Sequence, residues 1–160
     1  MDFETKALNE NNFKDRLKED LAKLNSVETE GAIALIRVDE FLEEESFFDN
    51  DPFPKVLKVV SESILEELTL LNIFGRIDER TFAVHFFNTP PKQVYIWAEK
   101  LRVKIARTPI AVVAKQNTYT ISVGVATSTS KTYVDEVLHN ADLALKKAVE
   151  KGGNAVRNIS

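Results

Sequence analysis

The run Gly31-Ala-Ile-Ala-Leu-Ile-Arg-Val38 restricts the fold more than any other stretch of the chain. Apart from Arg37 it carries no charge, and it lacks the apolar–polar alternation of a strand with one wet face. Such a run reads as a strand buried on both sides, at the centre of a sheet. It is far shorter than the roughly 20 apolar residues that cross a bilayer. A central strand needs covering layers, and the flanking sequence supplies them. From Asn12 to Leu24, Phe13, Leu17, Leu21 and Leu24 form one helical stripe. Helical spacing returns from Lys55 to Leu71 through Val56, Val59, Val60, Ile64 and Leu68. A third helix opens at Asn88-Thr-Pro-Pro91, with proline tolerated in its first turn, and carries Val94, Trp97, Leu101 and Ile105. A fourth, Thr132 to Lys151, carries Val137, Ala141, Leu145 and Ala148 and stops at Gly152-Gly153.

Between these helices lie short strands. Ile73–Ile77 and Thr81–Phe87 flank Asp78-Glu79-Arg80 as a hairpin. Ile110–Ala114 and Tyr119–Thr127 are further strands, the Ser/Thr run Thr127–Thr132 is a loop and helix N-cap, and Ala155–Ile159 can add an edge strand. The order is α-β-α-β-β-α-β-(β)-α-β. Its core is the split β-α-β (ferredoxin-like) pattern of an α+β domain: an antiparallel-rich central sheet with helices packed on one face. At 160 residues the chain is expected to be one domain, residues 1–160.

Composition narrows the function classes. Without cysteine the chain has no disulfide, thiolate zinc site or cysteine nucleophile, which fits a reducing cytoplasm. The N-terminus lacks the basic-then-apolar order of a signal peptide, and no apolar run suits a membrane. With 21 Lys and Arg against 25 Asp and Glu, the net charge of −4 argues against general nucleic-acid binding.

Several landmarks align in order. Asp2, Thr5, Asn9 and Phe13 come first, followed by Arg37-Val-Asp-Glu-Phe41. Then come Arg76-Ile-Asp-Glu-Arg-Thr-Phe82, Ser122-Val-Gly-Val-Ala126, Ala141-Asp-Leu-Ala-Leu145, and Gly152, Asn154 and Val156. On these residues the chain resembles the GGDEF (diguanylate cyclase-like) family over nearly its whole length. The resemblance implies a nucleotide-cyclase-like fold and a dimeric reaction that joins two GTP molecules on Mg²⁺. Phosphoryl transfer of that kind needs carboxylates to hold the cation that neutralises the moving oxygens. Carried over by position, the family's two metal-ligating carboxylates fall on Arg37 and Arg80, and guanidiniums cannot ligate a cation. The signature hairpin stands as Asp78, Glu79, Arg80, Thr81 and Phe82, with carboxylates where the family has glycines. The guanine-reading Asn maps to Glu45 and its partner Asp near Pro54. The phosphate cations of the last helix map to Val149 and Gly153. The inhibitory product site maps to Thr69 and Asn72, which supply neither its guanidinium nor its carboxylate.

The reading that follows is a degenerate domain with no catalytic residues, no metal, no cofactor and doubtful nucleotide binding. It is expected to serve as a signalling or protein-interaction module in a bacterial cyclic-di-GMP-type pathway, with a protein partner and homodimerisation as the open roles. The alternative is a metal-independent nucleotide or cyclic-dinucleotide sensor. Arg37 and Arg80 are expected to lie close together, as an anion site or paired with Asp39, Asp78 and Glu79. The acidic stretch from Asp39 to Asp51, with Glu43, Glu44, Glu45, Phe47 and Phe48, is the expected partner surface. Lys100, Arg102, Lys104 and Arg107 read as a solvated helix face, and His85 and His139 as structural.

Overall fold

The structure is a computed structural model that describes residues 6–26, 29–41, 51–112 and 115–159. Helix α1 (Glu10–Ser26) begins earlier than its apolar stripe, because Asn9 Oδ1 accepts the Asn12 amide at 2.8 Å and caps it. Then follow β1 (Gly31–Val38), α2 (Phe53–Glu66), β2 (Asn72–Asp78), β3 (Thr81–Phe86), α3 (Pro91–Ala106), β4 (Ile110–Val112), β5 (Lys115–Asn117), β6 (Ile121–Ser128), α4 (Val134–Glu150) and β7 (Val156–Ile159). The main sheet has the order β2-β3-β1-β6-β7, and only the β6–β7 pair is parallel. Strand β1 lies in the middle, as its unbroken apolar run requires.

Alternation along β1 divides the core in two. Ile33 and Leu35 pack with Phe13, Leu17, Leu21 and Leu24 of α1 and with Val137, Ala141 and Leu145 of α4. Ala32, Ala34, Ile36 and Val38 face Val56, Val60 and Ile64 of α2 and Val94, Leu101 and Ile105 of α3. Helices therefore cover both faces, not one as the split β-α-β pattern suggested. The split core itself is present, but its fourth strand is β6. Ile110–Val112 instead pairs with Lys115–Asn117 as a separate two-stranded hairpin.

Two other expectations shift for local reasons. Helix α2 stops at Glu66 rather than Leu71, because Thr69 and Asn72 close a turn of their own. Asn72 Oδ1 accepts the Thr69 amide at 2.9 Å, and the Asn72 amide bonds the Thr69 carbonyl at 3.1 Å. Thr132 does not cap α4; it closes a turn with Thr129, and Tyr133 holds the cap position without a side-chain bond. At the sheet edge Leu8 bridges β2, its amide meeting the Phe74 carbonyl at 3.0 Å and its carbonyl the Arg76 amide at 2.8 Å.

Close packing is most exacting at Gly124. It pairs with Leu35, and a Cβ there would fall on the Ala141 carbonyl oxygen and the Leu145 amide, with Leu145 Cα at 2.8 Å. The obstacle is helix backbone, which cannot swing aside. Gly124→Ala is therefore expected to destabilise the domain by about 3 kcal/mol, at the upper end of overpacking costs. The midpoint of urea unfolding measures it, and an unchanged midpoint would contradict the packing described.

Candidate functional site

One end of the sheet gathers several of the residues singled out from the sequence, Asp39, Phe41, Asp78, Glu79 and Arg80 among them. The end of β1, the β2–β3 hairpin, the start of α2, the approach to β6 and the turn after α4 all meet there. Asp39, just past β1, joins three of them. Its carboxylate accepts Thr120 Oγ1 at 2.7 Å, Ser122 Oγ at 2.6 Å and the Asn154 amide at 2.8 Å. Its own amide donates to the Thr120 carbonyl at 3.0 Å. Gly153 passes so close that a Cβ would stand 2.9 Å from the carboxylate, in a backbone conformation (φ +77°) that glycine tolerates.

Arg80 reaches over the end of β1 from the hairpin. Nε lies 3.2 Å from the Val38 carbonyl and Nη2 3.4 Å from that of Asp39. The guanidinium carbon lies over the Phe53 ring at 4.7 Å and over the Phe41 ring at 5.6 Å from the ring centres, within cation–π range. The hairpin turn is tied locally: Asp78 Oδ1 accepts the Arg80 amide at 2.9 Å, and Arg76 Nη2 donates to the Glu79 carbonyl at 2.7 Å. Asp78 and Glu79 are exposed, while Thr81 and Phe82 are buried.

Arg37 goes elsewhere. Alternation puts it on the α4 face with Ile33 and Leu35, where it pairs with Glu40 at 3.8 Å and lines a cavity of about 210 Å³ with Asp142, Leu145, Lys146, Val149 and Glu150. Arg37 pairs in the sheet with Thr81, the neighbour of Arg80, while the described side-chain contacts of Arg37 and Arg80 involve different residues. Among the described residues neither guanidinium forms an ion pair with Asp39, Asp78 or Glu79; Asp78 is instead bonded by the Arg80 main-chain amide. Asp39 is taken by Thr120, Ser122 and Asn154, and Arg80 uses main-chain oxygens. Among the described residues no three His, Asp or Glu side chains converge to hold a metal ion.

The expected partner surface, Glu43, Glu44, Glu45, Phe47 and Phe48, lies outside the described residues, as do Asp2 and Thr5. Phe13 and Phe82 are fully buried, and Phe41 packs edge-on against Tyr119 at 5.1 Å. On the basic run, Arg102 bonds Glu99 at 3.0 Å and Asn154 at 3.0 Å, and Lys104 bonds Glu66 at 2.6 Å. The bond to Glu99 raises the Arg102 pKa and the bond to Glu66 raises that of Lys104, burial opposing both. Exposed pairs like these add little to stability.

Sequence reasoning missed the partners of His85. The ring is fully buried, with Nδ1 2.8 Å from Asp20 Oδ2 on α1 and Nε2 2.7 Å from Ser128 Oγ on β6. The partners stand 65 and 43 residues away, too far for any local signal. The chain has the composition of a nucleophilic triad, but Ser128 is fully buried, so the network is structural. His139 is exposed on α4.

A family model described as "Diguanylate cyclase, GGDEF domain" matches residues 1–155. Among solved structures, the GGDEF domain of DgcB from Caulobacter crescentus in complex with c-di-GMP is similar at 21% identity, covering 99% of this chain and 92% of that one, with a TM-score of 0.92. The FimX GGDEF domain from Pseudomonas aeruginosa is similar at 19% identity over 99% and 98%, TM-score 0.87. The diguanylate cyclase SiaD from the same organism, in complex with its activator SiaC, is similar at 21% identity over 99% and 61%, TM-score 0.90. A comparison with curated proteins gives no match.

Two substitutions test the polar network. Asp39→Ala leaves the buried Ser122 hydroxyl without its acceptor and is expected to cost about 2–3 kcal/mol, with Asp39→Asn costing less. Ser128→Ala removes one partner of the buried imidazole and is expected to cost about 1–2 kcal/mol. Urea unfolding reads both, and wild-type midpoints would show that these bonds carry no net stability.

Proposed function

The chain belongs to the GGDEF domain family of c-di-GMP signalling, and we propose that within it the domain is catalytically inactive and works as a signalling and protein-interaction module. The observation that carries this reading is the seat of Arg80. The family resemblance gives position 80 to a carboxylate that holds a cation. Here that position supplies the cation itself, bonded to the carbonyls of Val38 and Asp39. A guanidinium has no lone pair to offer a metal and repels a second positive charge. The donor set does not fit Mg²⁺.

The rest of the site supports the same reading. Asp78 and Glu79 bring negative charge where signature glycines would let backbone approach phosphates, and Arg37 is paired with Glu40. Thr69 and Asn72, at the inhibitory-site positions, are bonded to each other. With neither metal ligands nor product-site groups, the family's fold is left as a surface for partners. SiaD, a relative in fold, is held by a protein activator, and a protein partner is the reading we extend to this chain. No described helix is long and apolar enough to cross a membrane.

The purified domain incubated with GTP and Mg²⁺ or Mn²⁺, followed by chromatography, is expected to leave GTP intact. Accumulation of a cyclic dinucleotide above a protein-free control would overturn the inactive reading. Calorimetric titration with GTP and with c-di-GMP is expected to release no heat. Saturable binding of either one, lost in Arg37→Ala, would instead identify a nucleotide sensor.

A further inference from the structure

The cage around the Arg80 guanidinium is built by groups that do not depend on Arg80's side chain. Phe41 is braced edge-on by Tyr119 at 5.1 Å and 77°. Phe53 is the first residue of α2, and its amide is held by Asp51 Oδ1 at 3.0 Å. The backbone that presents the two carbonyls is fixed by the Val38 amide bonding the Arg80 carbonyl at 3.1 Å and by the Asp39 amide bonding Thr120. The Asp39 side chain anchors the same segment to Thr120, Ser122 and Asn154. Removing the Arg80 side chain therefore leaves two ring faces and two carbonyl oxygens in place.

Those four walls suit one chemistry. Carbonyl oxygens accept in-plane N–H donors, and aromatic faces receive the flat side of a delocalised cation. A guanidinium presents both at once; a compact ammonium offers charge and donors but no plane to stack. We propose that this is a binding site for guanidinium groups, in which Arg80 is a tethered resident ligand that keeps it occupied. The ligand class is an arginine-type guanidinium, and the occupant is the chain's own Arg80. This holds whether or not the domain turns over nucleotide, so it stands or falls separately from the reading above.

The test uses Arg80→Ala with N-methylguanidinium and methylammonium as probes at matched millimolar concentration. The variant is expected to melt roughly 3–8 °C below wild type, given the sensitivity of Tm for a domain of this size. N-methylguanidinium is expected to recover part of that loss saturably and to perturb the Val38 and Asp39 amide resonances. Methylammonium is expected to do neither, and wild type, its cage already filled, is expected to respond to neither probe. Equal responses to the two cations, or equal responses of variant and wild type, would overturn the proposal. If Arg80→Ala does not fold, Arg80→Lys decides. It keeps the charge but loses the plane, so it should still melt below wild type; a wild-type melting point would show that charge alone is enough.

Discussion

The Asp39 carboxylate is the constraint on which this end of the molecule depends. Three donors converge on it: two hydroxyls from the approach to β6 and from β6 itself, and one backbone amide from the turn after α4. Without them the ends of β1 and β6 and the Gly153–Asn154 turn would be joined only through the sheet. With them, the carbonyls of Val38 and Asp39 face the hairpin in a fixed direction, and Arg80 finds them there. The positive charge at position 80 is thus absorbed locally. Its guanidinium exchanges water for two main-chain acceptors and two ring faces, so it is partly desolvated yet well partnered.

Much of this was legible in the sequence, and the division is physical. The β1 run announced a two-sided strand, and its own alternation separates Ile33 and Leu35 from Ala34 and Ile36 onto opposite helical layers. The one-face expectation came from the split β-α-β pattern, which counts α2 and α3 but gives no place to α1 and α4. Apolar stripes located all four helices because burial sets their spacing. Their ends followed hydrogen bonds that spacing does not encode, such as Asn9 at α1 and the Thr69–Asn72 turn after α2.

The site was half legible. Sequence placed Arg37 and Arg80 at matching ends of neighbouring elements, but not the directions in which their side chains run. A residue within a strand obeys the pleat, which sends Arg37 towards α4. A residue in a hairpin turn does not, and Arg80 folds the other way onto Phe53. The Asp20–His85–Ser128 network was illegible for a different reason. Its three members come from α1, β3 and β6, and only the finished sheet brings them within bonding distance. The same packing explains how this backbone resembles domains with about one residue in five in common. At Gly124 the contact is with helix backbone, which leaves no room for a side chain.

The reach of the Asp39 bonds bears on how the domain comes into being on the ribosome. Its partners lie 81, 83 and 115 residues further along the chain. The last of them cannot form until Asn154 has cleared the exit tunnel. Pairings of such long range are reached slowly, because the loop entropy is lost before the contact returns anything. Until then water solvates the Asp39 carboxylate, and its bond to the Asn154 amide closes only when the turn behind α4 arrives.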